Sequence, residues 1–292
     1  MVQIAKAKFY RILYGYLRLN SRVRNLFARR LKSSNKWEID SQKTNYEAVV
    51  DNILKTEFNF RKFRRNFDYC EILENVTFRQ GFAHLDRIKI LEDEKLNFKV
   101  NIQNDFIGSP VQFNYPEFEK VSPTTLRYIS IALEIKKIFG PELSGDFVEI
   151  GGGYGGQFSI LKNLFRIENY GVYDLPNVQK IIKRYLESIN QYEHVEFLDL
   201  ETSISKKWDL VISNNAFSEL PKNLQESYIS KVLSHSRRGY LIMNSGRENF
   251  TMRSNGKLSL EDLQKLLPSF EIFEELPKTG LDNYVIIWGH KN

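Results

Sequence analysis

The chain has 292 residues, of which 42% are hydrophobic and 27% charged, with a net charge of +6. That is enough apolar material for a sizeable core. No apolar stretch approaches the length of a membrane span, and no start resembles a secretory leader with a small-residue cleavage site, so a soluble, cytoplasmic protein is expected. Cys70 is the single cysteine, which excludes an internal disulfide, and four scattered histidines without cysteine pairs argue against a zinc site.

Charge is unevenly spread. Residues 1 to 36 carry ten basic groups and no acidic one, which leaves the rest of the chain at −4. Phe9, Ile12, Leu13, Tyr16 and Leu17, followed by Val23, Phe27 and Leu31, fall near helical spacing, so one or two basic amphipathic helices are expected. Such a segment suits peripheral attachment to an anionic inner membrane face. It equally suits packing on the rest of the chain or on a second copy in a homo-oligomer. Nucleic acid is not an expected partner, because no recognised module accompanies the charge.

A second basic cluster, Arg61, Lys62, Arg64 and Arg65, is interleaved with Phe58, Phe60, Phe63 and Phe67. A helix with a core-facing aromatic stripe explains it better than a binding patch. Residues 1 to 75 are therefore read as a basic helical extension. Residues 76 to 120 mix polar and turn residues around Gln80-Gly81, His84, Gly108-Ser-Pro110 and Asn114-Tyr-Pro116, and read as a lid over a site. From 121 to 292 the pattern becomes an alternating strand and helix domain. It opens with a helix that Ser122-Pro123 caps, and that helix carries Arg127 and Tyr128.

The run Asp146-Phe-Val-Glu149-Ile-Gly151-Gly-Gly153-Tyr154-Gly155-Gly156 joins an apolar strand to a glycine-rich turn, and Gln157 begins a helical pattern. The backbone N–H groups at that helix start face whatever occupies the turn. The glycine spacing satisfies the dinucleotide pattern Gly-x-Gly-x-x-Gly and also reads as Glu-x-Gly-x-Gly-x-Gly. A carboxylate at Glu149 disfavours a pyrophosphate and suits a cofactor with a sulfonium and an ammonium group, which favours S-adenosylmethionine. Asn169 to Asp174 reads as the next strand. Asp174 at its carboxyl end, followed by Leu175, is placed to accept both ribose hydroxyls, with capping of the helix at Pro176 as its alternative role. Val195 to Leu200 is a third strand, with Asp199 placed for an adenine amino group or for a plain turn.

Trp208 to Asn215 forms a fourth strand running into Ser213, Asn214 and Asn215, and continues through Glu219 over the expected substrate mouth. Gly239 to Asn244 is a fifth strand. Phe270 to Leu276 and Tyr284 to Trp288 read as a closing antiparallel pair. Residues about 120 to 292 thereby resemble the class I S-adenosylmethionine-dependent methyltransferases. More narrowly they resemble the bacterial sugar O-methyltransferases, through Arg127-Tyr128, Glu149 to Gly156, Tyr173-Asp-Leu-Pro176 and Ser213 to Leu220.

The resemblance implies a Rossmann-like, seven-stranded, mostly parallel sheet and methyl transfer to a sugar hydroxyl, in polysaccharide or glycoconjugate synthesis. The acceptor would be a sugar or glycan, nucleotide-linked or lipid-linked. Expected cofactor contacts are Glu149, Gly151, Gly153, Tyr154, Gly155, Asp174, Leu175, Asp199, Leu200, Ser213 and Asn214. Expected acceptor contacts are Arg127, Tyr128, Asn215 and Asn244. Glu219 is the first choice of general base, with a helix-capping role as its alternative, and His84 on the lid is the second choice.

Overall fold

A computed structural model describes residues 40–91, 103–116, 118–202, 206–244, 256–267, 269–280 and 283–290. The basic segment 1 to 36 lies outside the described residues. Residues 46–292 form one compact unit, whose boundary falls at 45/46 rather than near 75. The reason is apolar packing: Val49, Val50, Ile53, Phe60, Phe63 and Tyr69 are buried in the same core as the sheet.

The helical part comprises α1 (Asp40–Lys55), α2 (Glu57–Arg61), α3 (Phe67–Ile72) and α4 (Phe78–Leu91). Thr56 and Asn66 cap α2 and α3 by accepting from the Asn59 and Tyr69 amides. The interleaved aromatic cluster divides as a helical stripe should, with Phe60 and Phe63 buried and Phe58 and Phe67 exposed. A small hairpin, β1 (Phe113–Tyr115) with β2 (Phe118–Val121), precedes α5 (Pro123–Phe139). Ser122 caps α5 by accepting from the Thr125 amide at 3.2 Å.

The segment read as a lid is thus mostly built structure. Gly81, which reads as a turn residue, sits inside α4 because Tyr115 lies against it. A β-carbon there would fall 2.0 Å from the Tyr115 hydroxyl.

The main sheet follows as β3 (Ser144–Ile150), β4 (Arg166–Tyr173), β5 (Val195–Leu198), β6 (Leu210–Asn214), β7 (Gly239–Met243), β8 (Glu271–Glu274) and β9 (Tyr284–Trp288). Its order is β5-β4-β3-β6-β7-β9-β8, parallel through β7, with β9 antiparallel to both neighbours. Helices α6 (Gly156–Leu164), α7 (Pro176–Ser188), α8 (Ala216–Glu219), α9 (Lys222–Lys231) and α10 (Leu260–Leu266) make the crossovers. One apolar cluster packs α1 to α7 on one face of the sheet, and a second packs α9, α10 and Trp208 on the other. This is a Rossmann-like α/β fold.

Chain order reverses at β3, which runs to β4 and β5 on one side and is followed by β6 and β7 on the other. The crevice beyond the carboxyl ends of β3, β4 and β6 is where such sheets bind ligands. No described helix is long and apolar enough to cross a membrane.

Candidate functional site

The turn after β3 is built from backbone that side chains resist. Gly151, Gly153 and Gly155 have φ of 82°, 60° and 90°, in the left-handed region that favours glycine. A β-carbon on Gly151 would also lie 2.1 Å from the β-carbon of Ala216, so the turn and the start of α8 approach closely. The loop then enters α6 at Gly156, where no side chain caps the first amides.

Asp174, at the end of β4, fixes the loop and is fixed by it. Its Oδ2 accepts from Gly153 N at 3.2 Å and its Oδ1 from Leu175 N at 2.7 Å. Burial pushes its carboxyl up to about 6, against the pull of these amides. Gln179 ties the ends of β4 and β5 together by donating to Asp174 O at 3.1 Å and Leu198 O at 3.0 Å.

Glu149 departs from its expected state. It is buried and accepts from the Tyr170 hydroxyl at 2.8 Å. Burial raises its carboxyl to about 8, the Tyr170 bond lowers it, and Asp174 raises it further. Near neutral pH it leans to the protonated form, and a cation at the loop would restore its charge. Tyr154 also departs, because it points away from the crevice. Its ring packs 4.6 Å from the Arg64 guanidinium carbon, and its hydroxyl accepts from Asn104 Nδ2 at 3.0 Å.

Arg64 is fully buried, which the basic cluster did not foretell. It pairs with Glu74 through Nε and with Asp105 at 3.1 Å, and donates to Asn104 O at 2.6 Å and Ser122 Oγ at 3.1 Å. Asp105 in turn accepts from Ser122 Oγ and Thr125 Oγ1, each at 2.7 Å, and Tyr185 donates to Asn104 Oδ1 at 2.6 Å. The network joins the α3–α4 turn, the cap of α5, α7 and the glycine loop, and so supports the loop from behind.

Across the crevice, Ser213 is occupied by the fold: its Oγ donates to Ile150 O at 2.9 Å and accepts from Phe217 N at 3.0 Å. It thereby satisfies an amide in the first turn of α8. Asn215 instead has φ 71° and makes no side-chain cap bond. Asn214 donates to Gln157 Oε1 at 3.2 Å, and Gln157 donates to Tyr128 O at 3.2 Å, so Gln157 joins α5 to the end of β6. The sequence reading passed over Gln157, although a polar residue in the first turn of an apolar helix was a usable signal. Asn214 Oδ1, Asn215 Oδ1 and Arg127 Nη2 are buried without a hydrogen-bond partner among the described residues. Arg127 makes no salt bridge among the described residues.

Glu219 and Asn244 come together. Asn244 Nδ2 donates to Glu219 Oε1 at 2.6 Å, and the Asn244 amide donates to Ser218 Oγ at 3.1 Å. Glu219 is exposed, as a group meeting an incoming acceptor must be. The other expected positions separate from it. Asp199 is an exposed turn residue whose Oδ1 accepts from the Glu201 and Thr202 amides at 2.7 and 3.1 Å. Leu200 presents its carbonyl to Lys231.

His84 lies inside α4, buried, with Nδ1 2.8 Å from Ser130 Oγ. Ser130 gives its proton to Arg127 O at 3.0 Å, so it accepts from His84 Nδ1–H. Burial, then the Arg127 charge, push the imidazole down to about 3. A proton acceptor that weak and that enclosed does not serve as a lid base. Cys70, held against Arg64 O and pushed up to about 12 by burial, is no nucleophile. Among the described residues no cluster suits a metal ion.

No known family model matches the chain, and no curated protein matches it. Solved structures similar in part include the mitomycin 7-O-methyltransferase MmcR, at 14% identity and TM-score 0.43 over 57% of this chain and 55% of that one. The pyocyanin biosynthetic protein PhzM aligns at 14% identity and TM-score 0.42, over 56% and 55%. An O-methyltransferase family 2 protein from Planctomyces limnophilus aligns at 12% and 0.40, over 57% and 58%. This chain thus spans just over half the length of each.

Proposed function

We propose that the chain is a class I S-adenosylmethionine-dependent O-methyltransferase whose acceptor is a sugar hydroxyl. The observation that carries the cofactor class is the sheet order, with antiparallel β9 between β7 and β8. A dinucleotide-binding sheet continues with a sixth parallel strand instead. The residues present fit this cofactor. The glycine turn leaves the first amides of α6 without a side-chain cap, Asp174 offers a carboxylate at the strand end, and buried unpartnered amide oxygens of Asn214 and Asn215 stand at the end of β6.

S-adenosylmethionine supplies an electrophilic methyl group on a positively charged sulfur. Asp174 would accept from the ribose hydroxyls, Glu149 would balance the cation from beneath the loop, and Arg127 would take an anionic group of cofactor or acceptor. Tyr128 and Asn215 border the acceptor. Glu219, oriented by Asn244, would take the proton that an acceptor hydroxyl loses. Placement supplies much of the rate, and the base about a further 10²- to 10⁴-fold.

The sugar acceptor and a role in glycan synthesis rest on the motif resemblance. A nucleotide-linked or lipid-linked acceptor would also use the basic segment 1 to 36, at a membrane face or against phosphate.

Calorimetric titration tests the cofactor. The protein is expected to bind S-adenosylhomocysteine and not NAD, and the reverse result removes the methyltransferase reading. Transfer of labelled methyl to nucleotide sugars, set against non-sugar phenols, tests the acceptor.

A further inference from the structure

Two large apolar side chains of the unit formed by residues 46–292 stand outside its core, and the fold holds them there. Helix α2 is fixed by its Thr56 cap, by Phe60 in the core and by Arg184 of α7, whose guanidinium carbon lies 4.2 Å from the Phe60 ring centre. With Phe60 turned inward, Phe58 is turned out and is 66% exposed. The loop before β1 is fixed as firmly. Asp105 is buried on Arg64, Ile107 packs against the core, and Phe106 between them is 70% exposed.

The two lie on neighbouring backbone. Ser109 Oγ donates to Arg61 O, at the end of α2, at 2.9 Å, and the Arg64 amide donates to Gly108 O at 3.1 Å. Cations accompany them, because Arg61, Lys62 and Arg65 are all exposed. Glu57 is shared between Arg61 and Arg184, whereas Lys62 and Arg65 make no salt bridge among the described residues. Lys62 Nζ sits over the Phe58 ring, 4.3 Å from its centre.

Scattered exposed aromatics need no explanation, but rings held outward on anchored backbone beside unpaired cations describe an interaction surface. Its chemistry selects the partner. An isologous contact with a second copy would set these cations against themselves. Stacking on a nucleobase needs a free ring face, and Lys62 covers one face of Phe58. A bilayer with anionic headgroups suits both parts, since rings enter the acyl boundary while Lys and Arg stems run back to the phosphates.

We propose that Phe58 and Phe106, with Arg61, Lys62 and Arg65, seat the folded unit on an anionic phospholipid surface. This rests on the membrane role of the basic segment 1 to 36 and is independent of the cofactor. The segment supplies the attraction, because the rest of the chain is at −4 and the patch alone does not hold it there. The patch decides which side of the unit meets the lipid.

Sedimentation of the full chain with vesicles containing phosphatidylserine tests it. Phe58→Ser with Phe106→Ser is expected to lower the partition by about ten-fold or more, with melting temperature and S-adenosylhomocysteine affinity unchanged. Lys62→Gln with Arg65→Gln is expected to lower it by about ten-fold as well. Phe58→Trp and Phe106→Trp should each add fluorescence that brominated acyl chains quench beyond the wild-type signal.

Wild-type sedimentation of the double serine variant, or no added quenching in the tryptophan variants, overturns the patch and leaves the segment as the attachment. If the wild type itself stays in the supernatant, the membrane role of the segment fails and takes the patch with it. A wild-type dimer that the double serine variant dissociates assigns the surface to a second copy and overturns the proposal.

Discussion

Glu149 carries a folded-state carboxyl near 8 against an ordinary value of 4.5. The folded protein therefore holds more protons than the unfolded chain between those values, and this group's stabilising contribution is full below about 4.5 and lost as pH rises to about 8. Glu149→Gln keeps an acceptor for Tyr170 and cannot ionise, so its melting temperature is expected to exceed wild type at pH 8 and above. The advantage should shrink toward pH 5, which melts across that range would read. The same variant should lose affinity for the cationic cofactor more than for neutral S-adenosylhomocysteine. Glu219→Gln works differently: turnover should fall while S-adenosylhomocysteine affinity stays near wild type, and unchanged turnover removes Glu219 as the base. His84 is expected to stay neutral from pH 5 to 8, with no titration of its ring in NMR spectra, because its folded value is pushed down to about 3. Since that value lies below the ordinary 6.5, its contribution is present above 6.5 and lost as pH falls toward 3.

Among the elements, α5 and the glycine loop depend on one buried cation. Removing Arg64 leaves Glu74 buried without its partner and strips the Tyr154 ring of its stacking group. Arg64→Met is therefore expected to cost about 3–5 kcal/mol in urea unfolding, more than any exposed ion pair such as Arg61 with Glu57. Combining it with Glu74→Leu should recover part of that loss. This network was not legible in the sequence, since Arg64 meets partners 10, 41 and 58 residues away and reads locally as one of four exposed basic groups. Strands β3, β6, β7 and β9 were legible, because strands buried on both faces appear as apolar runs. The Ser122 cap of α5 was equally plain. Asp174 and the loop glycines lie at the strand ends where the pattern put them, whereas the protein partners of Tyr154, Ser213 and His84 were not legible, for a common reason. Spacing places a residue near a crevice, but the direction of its side chain depends on partners that only the folded chain supplies.

At the scale of the molecule, charge separates into a segment of +10 over residues 1 to 36 and a remainder of −4. The remainder alone is repelled by an anionic surface, so any membrane attachment must come through the basic segment. Each Lys or Arg near an anionic surface contributes about 1 kcal/mol, and the attraction decays over a Debye length of about 8 Å at physiological salt. The full chain is accordingly expected to sediment with vesicles containing phosphatidylserine and not with purely zwitterionic ones, and to be released as salt is raised. A chain lacking residues 1 to 36 should stay in the supernatant while binding S-adenosylhomocysteine as wild type does, because Asp174 and the glycine loop lie in the unit formed by residues 46–292. Equal sedimentation of the shortened chain would end the membrane reading. Weakened cofactor binding in it would instead assign the segment to the support of α1.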